Sequence, residues 1–186
     1  MNGKKILAGL LIATACYMPI FANSFDEAMA VVKDPYTVYN FYPGEDPAQI
    51  ESEMDELKDW TKTKTHDQYT DCIFVTYKRT LADGVEQELF FNYMPRREIR
   101  FIKVTFKGQS AKEIGKMYFR ALSHMKELGY SPRLMHSPTS EDAWIRLDDD
   151  GNTLSLYYSS SSKKFEIDKS LKPIAGYYMP WLYQQK

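Results

Sequence analysis

Apolar and polar positions along the chain change period several times, and each change marks an element. Behind Ser24-Phe25-Asp26-Glu27, a capping-box pattern, Phe25, Ala28, Met29 and Val32 recur at helical spacing until Asp34-Pro35 closes the stretch. An aromatic run from Tyr36 to Tyr42 ends at Pro43-Gly44. Asp46 then Pro47 predicts a second helix, an oxygen cap followed by a proline whose missing N–H costs nothing there. Its stripe is Ile50, Met54, Leu57 and Thr61 with Trp60 beside it, and Glu51, Glu53, Asp55 and Glu56 on the wet faces. The period then falls to two. Ile73, Val75 and Tyr77 alternate, Asp83-Gly84 supplies a turn, and Leu89, Phe91 and Tyr93 return as far as Pro95. A third strand runs from Ile99 to Phe106, apolar at Ile102, Val104 and Phe106.

The strongest helical signal follows. Ser110 caps it, Glu113 completes its box, and Gly129 stops it. Ile114, Met117, Tyr118, Ala121, Leu122, Met125 and Leu128 form one face; Lys112, Lys116, Ser123, Lys126 and Glu127 form the other. Beyond it, Ala143, Ile145 and Leu147 lead through an Asp148–Asn152 turn to Leu154, Leu156 and Tyr158, and Phe165 with Ile167 predicts a last strand after a polar connection.

The expected fold is therefore α+β, with order α-α-β-β-β-α-β-β(-β). Hairpin-length connections make an antiparallel sheet of five to six strands, with amphipathic helices packed on one face. The core order of helix, three strands, helix, two strands is similar to that of type III secretion chaperones, a likeness of element order alone.

The amino end has its own pattern. Lys4-Lys5, an apolar run from Ile6 to Ala15, then Pro19 and Ile20-Phe21-Ala22 is the layout of a secretory signal peptide, expected to be cleaved after Ala22, with Ala30 a second candidate site. The run is short of the roughly 20 apolar residues of a membrane span. Ala13-Thr14-Ala15-Cys16 opens an alternative, a lipoprotein anchored through Cys16, although the usual leucine three residues before the cysteine is missing. Residues 23–186 are then expected to form a single α+β domain with an aromatic C-terminal tail, periplasmic or secreted.

Charge narrows the function classes. The 186 residues carry a net charge of −1, and removal of Lys4 and Lys5 with the leader takes it to −3. That balance argues against nucleic acid as partner. Cys72, between Asp71 and Ile73, reads as a buried strand residue. The Asp148–Asn152 turn fails as an EF-hand calcium loop, because its Gly stands at the fourth position and Ser159 at the twelfth. His66, His124 and His136 share no i,i+4 pair, and there is no Gly-x-Ser-x-Gly or phosphate-binding Gly-rich loop. No catalytic, cofactor or metal site is expected from these patterns.

Two features point to binding. Arg96, Arg97 and Arg100, with Lys103 and Lys107, make a basic patch at the third strand: either gatekeeping charge on an exposed strand or an anionic-surface site, for lipid headgroups or an acidic partner. The tail carries Tyr177, Tyr178, Trp181 and Tyr183, side chains that offer large area at low entropy cost and are expected either to pack across the sheet or a helix or to stand exposed for a protein, peptide or glycan partner. The expected function is an exported bacterial envelope protein that binds a protein, peptide or glycan partner without catalysis. The alternatives are a hydrolase assembled from distant residues, such as around His136, and a small-ligand carrier with an apolar cavity.

Overall fold

The computed structural model describes residues 23–33, 38–99, 101–127, 129, 133–136, 142–149 and 152–171. In chain order the elements are α1 (Ser24–Val32), α2 (Pro47–Asp55), β1 (Thr61–Asp67), β2 (Cys72–Thr80), β3 (Glu86–Tyr93), β4 (Phe101–Lys107), α3 (Ala111–Glu127), β5 (Arg133–His136), β6 (Asp142–Asp149), β7 (Asn152–Ser159) and β8 (Lys164–Leu171). One antiparallel sheet runs β1-β2-β3-β4-β8-β7-β6-β5. The fold is α+β with the helices on one face. The six inner strands are those the alternation marks; the two further strands, β1 and β5, are the edges.

β1 corrects the second helix, whose stripe was expected to reach Thr61. α2 ends at Asp55, and Thr-Lys-Thr-Lys-Thr continues as strand. β-branched threonines favour extended backbone, and an edge strand needs no apolar alternation. On its helix-side face Lys62 bridges Glu51 at 2.8 Å and Asp55 at 2.7 Å, while Lys64 meets Glu51 at 2.9 Å. Tyr77 Oη donates to Asp55 Oδ1 and Tyr93 Oη to Glu51 Oε1, both at 2.7 Å. These polar pairs flank the buried Ile50 and Met54, through which α2 joins the core. Burial opposes ionisation of the Glu51 carboxyl, but hydrogen bonds from Lys62 and Lys64 outweigh it and hold that group below its usual range.

The capping box of α1 shifts by one residue. Asn23 is the cap, accepting from Asp26 N–H at 2.9 Å, and Ser24 is buried within the helix. Glu27 is thereby released to pair with Arg79 at 3.0 Å. Arg79 also donates to Gln87 at 2.7 Å and Asp59 at 2.9 Å, and its guanidinium lies 4.5 Å from the Trp60 ring centroid. At the other end of α1, the buried Lys169 ammonium donates to Val31 O at 2.6 Å, a cation on the negative end of the helix dipole. α3 keeps its predicted stripe and its Ser110 cap, while the Glu113 carboxylate turns to Lys116. Ile114, Met117, Tyr118, Ala121 and Met125 are buried against β7 and β8, Ser110 Oγ accepts from Glu113 N–H at 3.4 Å, and Gly129 follows at φ +85°. The Glu113 carboxylate pairs with Lys116 at 3.0 Å.

The helix-side face of the sheet holds the core: Val75, Tyr77, Leu89, Phe91, Val104, Phe106, Phe165, Ile167, Leu154 and Leu156. Of the aromatic run, Val38 and Phe41 belong to that core and Tyr42 is half exposed. Cys72 is free and buried in β2, as its neighbours suggest. β6 and β7 pair antiparallel down to Asp149↔Asn152; Asp150 and Gly151 lie outside the described residues.

Candidate partner-binding surface

Strand register assigns the other face. Phe74↔Asn92↔Phe101↔Ser170 forms one cross-strand row, and Thr76↔Phe90↔Lys103↔Asp168↔Ser155 the next. A third row is Lys78↔Glu88↔Thr105↔Glu166↔Tyr157. Among the described residues, every helix packs on the opposite face. The upper part of this helix-free face is aromatic: Phe74 and Phe90 stack at 6.2 Å between centroids, and Phe90 meets Phe101 edge-on at 6.1 Å. The lower part is charged. Lys103 lies 5.5 Å from the Phe90 ring centroid and 3.4 Å from Glu166, and Lys164 reaches Glu166 at 3.2 Å.

Asp168 sits between these halves. Its Oδ1 is closed to solvent and has no hydrogen-bond partner among the described residues, and the same holds for Asn92 Nδ2 in the aromatic row. Burial first, then the neighbouring Glu166 carboxylate, push the Asp168 carboxyl up to about 7, against the opposing pull of Lys103 and Lys164.

The basic patch divides. β4 is an interior strand, between β3 and β8, so edge gatekeeping does not explain Lys103, whose charge is balanced by Glu166. Lys107 is exposed at the end of β4. Arg96 and Arg97 stand exposed in the β3–β4 connection, Arg96 with left-handed backbone at φ +60°. That connection joins Tyr93 to Phe101, and β8 ends beside Phe101, so the chain after Leu171 departs from the same end of the sheet. The structure therefore places the arginine loop next to the origin of the aromatic tail. Arg100, Cys16, Tyr177, Tyr178, Trp181 and Tyr183 lie outside the described residues.

Comparison with protein-family models, curated proteins and solved structures finds no match. The observed order, with four strands before α3 and four after it, departs from the helix, three strands, helix, two strands on which the likeness to secretion chaperones rested.

Among the described residues, His66 and Cys72 do not converge. His66 pairs in register with Ile73 and so lies on the helix side, whereas Cys72 pairs with Asp67 and points to the other face. The His66–Asp71 contact at 2.9 Å is exposed. Burial, then Asp67, with Asp71 a smaller contributor, push the Cys72 thiol up, the reverse of what a nucleophile needs. His136 lies on β5 opposite Ala143. Among the described residues no three His, Cys, Asp or Glu side chains gather to hold a metal. A cleft of about 610 Å³ opens between the start of α1, the β2–β3 turn and the start of α3, walled by Phe25, Val85, Ile114 and Met117. Asp83 on its rim accepts from Ser24 N–H at 2.9 Å, and Gly84 at φ +78° makes the turn that brings Asp83 there. Sequence reasoning missed Asp168, Asn92 and the phenylalanine row. Their signal was present in Ile73-Phe74-Val75, Phe90-Phe91 and Phe101-Ile102, continuous apolar runs of the kind that strands covered on both faces display.

Proposed function

We propose that this is an exported, non-catalytic binding protein of the bacterial envelope, cleaved after Ala22, whose partner is a protein, peptide or glycan bearing acidic groups. The observation that carries the reading is the exposed Arg96–Arg97 pair at the end of the sheet where the helix-free aromatic face begins. Guanidinium groups recognise carboxylates and phosphates through paired N–H donors. No helix among the described residues is long and apolar enough to cross a membrane, which is consistent with a released chain.

The test is a photo-crosslinking residue at position 97, in the full chain produced with its leader in bacterial cells. The expected result is a discrete adduct in the envelope fraction, lost on charge reversal at Arg96 and Arg97 together, with a probe at Lys112 on α3 as the negative control. An exported, folded protein that gives no adduct at 97, or the same adduct at 112, overturns the reading. Small-ligand carriage has one observation in its favour, the cleft between α1, the β2–β3 turn and α3. Ligand-induced NMR shifts at Phe25 and Met117, rather than at Arg97, would move the assignment there.

A further inference from the structure

On the helix-free face Cys72, Asn92 and Phe101 are only 2, 3 and 5 % exposed. Among the described residues no helix lies over them. A phenylalanine on a bare sheet face keeps contact with water, as the half-buried Phe74 and Phe90 do, so the burial of Phe101 and its neighbours calls for a cover at that end of the row. The two orphaned polar atoms ask for the same thing: Asn92 Nδ2 lacks an acceptor and Asp168 Oδ1 lacks a donor, while buried polar groups in folded proteins are nearly always paired. We propose that the chain beyond Leu171 is that cover, its aromatic side chains packing over Phe74, Phe90 and Phe101 of the same molecule.

The topology brings the segment to the right place. Ser170 is in register with Phe101, and through it with Asn92 and Phe74, so β8 ends in the aromatic row itself. Residues 172–186 remain, 15 in number. Extended, they reach roughly 50 Å. From β8 to β2 is three strand spacings, about 14 Å. The segment can therefore cross the row and turn back.

Its composition fits as well. Ile174, Tyr177, Tyr178, Met179, Trp181, Leu182 and Tyr183 supply apolar area, and the segment contains no acidic residue to oppose Glu166 and Asp168. A tyrosine hydroxyl can pair with Asp168 Oδ1 by accepting from the carboxyl in its protonated form, and a main-chain carbonyl can accept from Asn92 Nδ2. The amino-terminal leader is the poorer candidate. It joins the protein at Asn23, on the helix side, where Ser24 contacts Asp83 and Met117. The tail is thereby assigned to the fold, and Arg96 and Arg97 alone are left for a partner; neither idea depends on the other.

The experiment uses the full chain labelled with 5-fluorotryptophan, the Trp181 resonance being identified by Trp181→Phe. In the wild type that line is expected away from the free fluoroindole position at every protein concentration. Phe90→Asp, a change on the helix-free face, is expected to move it to the free position while the Trp60 line stays. Should Phe90→Asp unfold the sheet, Tyr177→Ser combined with Tyr183→Ser gives the same readout without touching a described strand. A wild-type Trp181 line at the free position overturns the proposal. So does a line that leaves that position only as concentration rises, which would give the face to a second copy, or only on adding envelope extract, which would give it to a partner.

Discussion

Replacing Asp168 with asparagine removes one carboxyl from the helix-free face and keeps its shape. In the folded protein that carboxyl is pushed up to about 7, by burial and then by Glu166, with Lys103 and Lys164 pulling the other way. In the unfolded chain it titrates near the ordinary aspartate value of about 3.9. Between these two pH values the folded state holds a proton that the unfolded state has lost, so stability falls as pH rises and this group's contribution is flat outside the window. Integrated across the window, the loss is on the order of 4 kcal/mol, an upper bound that relaxation and water entry bring down to about 2–4 kcal/mol. The amide of the variant has nothing to ionise. Asp168→Asn is therefore expected to match the wild type within about 1 kcal/mol near pH 4 and to exceed it by about 2–4 kcal/mol at pH 8. Urea unfolding of both proteins at pH 4.5, 6 and 8 measures this, and the difference between them cancels every titrating group the two share. Parallel stability curves would refute the reasoning. A variant less stable at pH 8 would refute it more deeply, because it would mean that Asp168 is ionised and paired.

Arg79→Met should destabilise the protein by roughly 3–5 kcal/mol, since it strands the buried Glu27 carboxylate. Glu27→Gln on top of it should recover part of that loss, and a double-mutant cycle by urea unfolding would show the coupling; additive effects would argue against the pair. Intact mass of the chain recovered from the envelope should begin at Asn23, whereas a diacylated chain beginning at Cys16 would replace release with anchoring. The crosslinking result at position 97 and the Trp181 resonance complete the set, and each can fail while the other holds.

Helix positions were readable where packing and periodicity agree. The α3 stripe from Ile114 to Met125 emerged nearly whole because an amphipathic helix on a sheet buries one residue in every three or four. The six inner strands were readable because their helix-side residues alternate. β1 was not, since Lys62 and Lys64 face inward and are neutralised by Glu51 and Asp55, partners that no hydrophobicity pattern reveals. Asn23 displaced Ser24 as the cap for a related reason: Glu27, itself buried, pairs with the half-buried Arg79 instead of closing a box in water.

The helix-free face follows the same rule from the other side. Alternation assigns Phe74, Phe90 and Phe101 to the wet side of a one-sided sheet, yet adjacent apolar pairs such as Phe90-Phe91 make sense only if both faces are covered. The tail's seven large apolar residues would be costly to leave in water, and the face beside their point of departure carries three phenylalanines and two unpaired polar atoms. Each of these is a defect when taken alone, and each supplies what the other lacks when they meet. Arg96 and Arg97 have no such internal counterpart in the tail, which holds no carboxylate side chain, so an acidic group that meets them has to come from elsewhere in the chain or from outside the molecule.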